Sequence, residues 1–151
     1  MTKPTSLLEQ LIGAWSLVSY VEKPLDGSEP IYPFGKSPKG IIMYTPDGYM
    51  SAQISTLNRP HFASGDWFKG SEKELANEAS SYIAYTGPFD VDEETHSLTH
   101  TMFISLFPNW TGQTQPRKVK LEGKSLWLST ASPIISGGKE VHSYLHWLKM
   151  R

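Results

Sequence analysis

Apolar side chains recur at every second position in a series of short runs, and turn-forming residues separate the runs. The first is IGAWSLVSYVEK (12–23). GIIMYT and YMSAQIS flank Pro46-Asp47-Gly48, and Asp-Gly between two apolar runs is a strong hairpin signal. YIAYTGPFDV, HSLTHTMFISLF, QPRKVKL and SLWLSTA follow, the last two joined by Glu122-Gly123-Lys124. KEVHSYLHWLK closes the series after Ser136-Gly137-Gly138. The pattern predicts about eight strands joined mostly as successive hairpins. SEKELANEASSY alone breaks the rhythm, with Ser71 and Glu74 in capping-box spacing, and predicts one helix of about ten residues. A long loop, 57–70, rich in Gly, Pro and aromatics, precedes it.

Such a meander closes most naturally into an all-β, up-and-down barrel of roughly eight strands with one short helix, because closure removes both sheet edges. A barrel of that size either fills itself with side chains or holds one small ligand. No internal repeat or low-complexity tract interrupts residues 1–151, and one domain is expected.

Two strand faces carry a polar guest. By alternation Leu98, His100, Met102, Ile104 and Leu106 share one face, and Gln115, Arg117, Val119 and Leu121 another, opposite Lys118 and Lys120. Desolvation on an apolar face would keep His100 neutral near pH 7, as a general base requires; the alternative is a core histidine bonded to a neighbouring strand. Met102 shares that face and is a candidate pocket residue. Arg117 would stabilise negative charge on a ligand oxygen, or else cap the closed end of the barrel by stacking on Trp15.

Further candidates sit nearby. Tyr44 and Tyr85 come from strands that line a barrel and would assist proton transfer, whereas Gln53 lines it only if its strand face points inward. Asn109 and Trp110, after Pro108, belong to a rim loop; Asn109 either orients a ligand or bonds its own turn. Gln115 has Arg117's parity. In RPHFASGDWFKG, the residues Phe62, Trp67 and Phe68 cover the pocket as a lid, with His61 and Asp66 as secondary candidates, or pack against the outer wall or a partner.

Composition narrows the classes. A net charge of −1, with Lys36, Lys39 and Lys69 scattered among loops, gives no basic stripe for nucleic acid. The absence of cysteine removes disulfides, thiol nucleophiles and thiolate metal sites. His96 and His100, and His142 and His146, have H-x3-H spacing, but on strands four residues span about 13 Å, too far for one zinc ion. No metal or cofactor is expected. Asp92-Glu93-Glu94 reads as a solvated acidic turn, and Asn109-Trp110-Thr111 as a chance match to a glycosylation pattern. The N-terminus MTKPTSLLEQLIGAW has no continuous apolar segment, and no run approaches the roughly 20 residues that cross a bilayer, so a cytoplasmic protein without a membrane partner is expected.

Gly13-Ala14-Trp15 at the start of the first long strand resembles the lipocalin G-x-W signature. The chain as a whole resembles the lipocalin-like domain family through LIGAWSLVSY, PFGKSPKGIIMYTPDGYMSAQ, YIAYTGPFDVDEE, LTHTMFISLFPNWTGQTQPR and LWLSTASP. The resemblance implies a small calycin-type barrel with an internal pocket. It departs at the end of the chain, where lysine, Lys149, stands in register with the arginine that lipocalins usually stack on this tryptophan; Lys149, Arg151 or Arg117 would take that place.

The resemblance further implies cofactor-independent isomerisation, cyclisation or dehydration of a polyketide- or terpenoid-like metabolite. His100 would move the proton, Arg117 would stabilise charge, and Tyr44 or Tyr85 would assist. The first alternative is a non-catalytic carrier of an apolar metabolite, and the second an interaction domain with a filled barrel. A small molecule is the expected partner in the first two, and a homodimer is compatible with all three.

Overall fold

The computed structural model describes residues 5–151. Ten strands form one antiparallel sheet: β1 (Gly13–Pro24), β2 (Lys39–Tyr44), β3 (Tyr49–Ser55), β4 (Tyr82–Asp92), β5 (Ser97–Thr101), β6 (Ile104–Ser105), β7 (Thr114–Glu122), β8 (Ser125–Thr130), β9 (Ile134–Ser136) and β10 (Lys139–Lys149). The order β1-β2-β3-β4-β5-β7-β8-β10 returns to β1, from Trp15 opposite Lys149 to Pro24 opposite Val141. This is a closed barrel of eight strands, to which β6 adds on β4 and β9 on β10.

Two helices accompany the barrel. Helix α1 (Leu7–Leu11) was hidden from the strand-dominated pattern by its shortness. Ser6 caps it, and Glu93 accepts from the free amides of Leu7 and Leu8 at 2.7 and 3.1 Å, so part of the acidic turn is a helix cap. Its Leu7 and Leu11, one turn apart, are buried beside Trp15, whose indole donates to the Leu11 carbonyl at 2.9 Å. Lys149 Nζ lies 4.5 Å from the Trp15 ring centroid, so the lysine takes the stacking position and Arg117 does not. Helix α2 (Glu72–Ser80) carries the reciprocal Ser71–Glu74 capping box expected of it.

The run HSLTHTMFISLF is not one strand. Between Phe89 and Tyr85 β4 spends four residues, whereas between their partners His100 and Ser105 the other chain segment spends five. That extra residue is a bulge, and it reverses the side-chain alternation. Leu98, His100 and Met102 therefore point inward, but Ile104 and Leu106 are exposed, contrary to the uninterrupted alternation. Gly87 makes room for the bulge: a Cβ there would lie 1.7 Å from the Thr101 carbonyl oxygen. A second irregularity falls between Leu17 and Ser19 in β1, so Trp15 and Leu17 face inward before it, Tyr20 and Glu22 after it.

Candidate functional site

Residues from almost every strand converge on a narrow cavity of about 40 Å³ inside the barrel. Tyr20 comes from β1, Ile54 from β3, Tyr85 from β4, His100 from β5, Gln115 and Arg117 from β7, and Ser143 and Trp147 from β10. Hairpin closure is what brings these together: Phe89 of β4 pairs His100, which pairs Gln115.

His100 is 1% exposed. Its Nε2 lies 2.8 Å from the Tyr44 hydroxyl, and its Nδ1 has no partner. Tyr44 is itself buried, and among the described residues its hydroxyl has no other acceptor. A buried O–H donates where it can, so Tyr44 donates to Nε2, and the proton of the neutral ring sits on Nδ1. Burial, reinforced by the Arg117 charge, holds the imidazole pKa well below its usual 6.5, so the ring is neutral at pH 7. Burial likewise raises Tyr44 and Tyr85, with Arg117 pulling both partly back.

Arg117 is half-buried at the cavity wall. Its Nη2 donates to Gln115 Oε1 at 2.6 Å and its Nη1 to the Pro116 carbonyl at 3.0 Å. Among the described residues the ion pairs are Lys120–Glu122 and Lys139–Asp26, so no carboxylate neutralises this guanidinium. Trp147 Nε1 is also buried without a partner, while Ser143 Oγ lies beside the Tyr20 hydroxyl. An N–H or O–H sealed from water without an acceptor costs about 1–3 kcal/mol, so these groups mark where a polar ligand atom or water belongs.

The cavity has a vestibule of about 260 Å³ toward solvent, and the two share Tyr20, Ile83, Trp110 and Ile134 as walls. Trp110 packs edge-on against Tyr85 and Phe107, at centroid distances of 5.9 and 5.4 Å. Glu22 lies in the vestibule wall and accepts from Ser136 Oγ at 2.8 Å; burial raises its pKa and this bond pulls it back.

The sequence candidates therefore divide. His100, Tyr85, Trp110, Gln115 and Arg117 line the cavity, and Tyr44 reaches it through His100. Met102 is buried in the core away from the lining. Gln53 lies outside the barrel and is bonded by the Tyr82 hydroxyl. Asn109 is exposed in a short 3-10 turn, its carbonyl accepting from Gln113 Nε2. Trp67 and Phe68, 73% and 82% exposed, stack on each other in solvent rather than closing the cavity. Trp67 and His61 line a separate open groove of about 890 Å³ beside α2. The cover over the cavity comes instead from Phe107, Trp110, Ile134 and the last turn of α2.

Tyr20, Ser143 and Trp147 were missed. Tyr20 follows the β1 irregularity, so alternation from Trp15 places it on the wrong face. Trp147 shares an unbroken alternation with Val141, Ser143 and Leu145, and that signal was readable. Among the described residues no group of three or more His, Cys, Asp or Glu is placed to hold a metal ion, and no helix is long and apolar enough to cross a membrane.

A family model for the lipocalin-like domain matches residues 12–150. The chain is also similar to the 4'-hydroxy-3'-methoxypropiophenone carrier protein of Aspergillus oryzae, 36% identical over 107 residues. The match spans 67% of this chain and 96% of that relative.

Proposed function

Because the chain belongs to the lipocalin-like domain family, we propose that its barrel reversibly binds and carries a small oxygenated aromatic metabolite in a secondary-metabolite pathway. The observation that carries this reading is a cavity whose buried polar atoms, His100 Nδ1 and Trp147 Nε1, lack partners. The name of the Aspergillus relative, a carrier of an aryl ketone, supports the same ligand class.

Size decides how the ligand enters. The inner cavity has room for little more than a water-sized group, since one water occupies about 30 Å³ in the liquid. Joined with the vestibule it reaches about 300 Å³, the lower end of the range of small-molecule sites. The ligand places a polar atom in the inner cavity and its ring in the vestibule, displacing Trp110 and Ile134.

Titration with 4'-hydroxy-3'-methoxypropiophenone, followed by tryptophan fluorescence, tests the proposal, because Trp110 and Trp147 line the path. Saturable quenching and recovery of the compound unchanged are expected. No saturation up to millimolar ligand would remove the reading.

The Tyr44–His100 pair favours a second reading, cofactor-independent isomerisation, cyclisation or dehydration. It ranks lower for two reasons. A histidine held far below its usual pKa is a weak base, and its lone-pair nitrogen, Nε2, is already engaged by the Tyr44 hydroxyl. Recovery of a converted product, lost in His100→Asn, would reverse the ranking.

A further inference from the structure

Every polar atom left open at the inner end of the cavity is able to donate a hydrogen bond. The indole Nε1–H of Trp147 only donates. With Tyr44 donating to Nε2, His100 presents Nδ1–H. Ser143 carries a hydroxyl, which can donate or accept and lies beside that of Tyr20. Arg117 adds a permanent positive charge without a carboxylate partner. The groups with which its charge interacts are Tyr20 on β1, Tyr44 on β2, Tyr85 on β4 and His100 on β5, all held uncharged by burial. Thr130, its partner on β8, does not titrate, and Lys118 and Lys120 stand on the outer face of β7. Glu22, next along β1 on Tyr20's face, is engaged with Ser136.

Resting on the binding reading above, we infer that this inner end is a single-oxygen anion site: it takes a phenol of the ligand as its phenolate, with Arg117 as counter-ion and the Nδ1–H of His100 and Nε1–H of Trp147 as donors. Three physical facts converge on it. A half-buried cation without an anion carries part of the desolvation cost of a buried charge, and a ligand anion relieves it. Hydrogen bonds to an ionised acceptor are roughly twice as strong as neutral ones, so the Arg117, His100 Nδ1–H and Trp147 Nε1–H groups, which only donate, favour the ionised oxygen over the phenol. The small inner volume has room for little more than a water-sized group, which suits a single oxygen whose ring stays in the vestibule. On binding from neutral solution the phenol O–H proton passes to solvent, and no bond of the ligand skeleton changes.

The test uses 4-hydroxyacetophenone and its methyl ether, 4-methoxyacetophenone, as probes with the intact chain. Difference absorption at pH values one and two units below the phenol's own pKa reads the ionisation state of the bound compound directly. Expected is a phenolate band on binding, with affinity falling about tenfold per pH unit below that pKa. The ether, which cannot ionise, should bind with pH-independent affinity. Arg117→Gln should abolish the band, and Arg117→Lys should restore part of it.

A phenol that binds with the spectrum of its neutral form, and with the flat pH profile of the ether, overturns the inference while leaving the binding reading intact. A band that survives Arg117→Gln overturns the assignment of Arg117. Failure of both probes to bind overturns the inference together with the reading it rests on.

Discussion

Replacing Tyr44 by phenylalanine tests the arrangement on which the cavity's chemistry depends. The substitution keeps the ring and its edge-on contact with Phe89 at 4.8 Å, so little apolar burial changes. It removes one buried hydrogen bond of 2.8 Å, worth about 1 kcal/mol net, and leaves His100 Nε2 an acceptor sealed from water, costing about 1–3 kcal/mol. Because the two figures overlap, we expect a loss of about 2 kcal/mol, which lowers Tm by about 4–8 °C in a chain of this size. Urea denaturation with an unchanged m value measures it. The paired cycle is more stringent. His100→Leu alone leaves the Tyr44 hydroxyl unpaired, so the double variant Tyr44→Phe/His100→Leu should lose about 1–2 kcal/mol less than the sum of the singles. Nitrogen-15 shifts of the His100 ring should report protonated Nδ1 in the parent and a mixture of tautomers in Tyr44→Phe. A loss below about 0.5 kcal/mol, additive energies, or a parent ring protonated on Nε2 would each refute the assignment of the tautomer.

Gly87→Ala should cost at least about 3 kcal/mol, since its Cβ would meet the Thr101 carbonyl oxygen at 1.7 Å and the colliding atom is backbone; chemical denaturation measures the loss. Lys149→Met should cost about 1 kcal/mol by removing the charge from the Trp15 face and the donor to the Ile12 carbonyl, read as a Tm shift of about 2–4 °C. The depressed pKa of His100 makes the unfolded chain the better proton acceptor below pH 6.5, so its contribution to stability is full above that value and falls by up to about 1.4 kcal/mol per unit as pH drops toward the folded pKa; His100→Leu should flatten that part of the profile. Glu22 has the opposite sign: its raised pKa favours folding at low pH, and this contribution is lost as pH rises through the folded value, a trend Glu22→Gln should remove.

Alternation served as a guide to the site only as far as the strands stayed regular. On β7 it ran unbroken, and Gln115 and Arg117 stand at the cavity as their parity required. On β1 and in the 97–105 segment one irregularity each exchanged the two faces, which hid Tyr20 and exposed Ile104 and Leu106. A bulge leaves little compositional trace in a single sequence, because the residues on either side keep strand-forming character. Gly87 was an available sign, a glycine within a run rich in β-branched and aromatic residues. The capping box of α2 was local chemistry and was readable without the fold. The loop aromatics failed for the converse reason: Trp67 and Phe68 are apolar enough to suggest a cover, but nothing in their spacing states which surface they approach.

The same irregularities explain how an apolar barrel tolerates its polar end. The 97–105 bulge lies between His100 and Ser105, so the backbone that crosses over Gly87 directly follows the strand that aims His100 inward. The β1 irregularity turns Tyr20 toward the same cavity from the other side. Both rims of the polar end are thus set by backbone geometry, while Tyr44 fixes the ring's proton. Donors held in place around a neutral histidine suit the binding of an acceptor, whereas a proton shuttle must exchange its proton readily at working pH. That distinction places the balance between carrier and catalyst in one measurable property, the ease with which His100 changes protonation state.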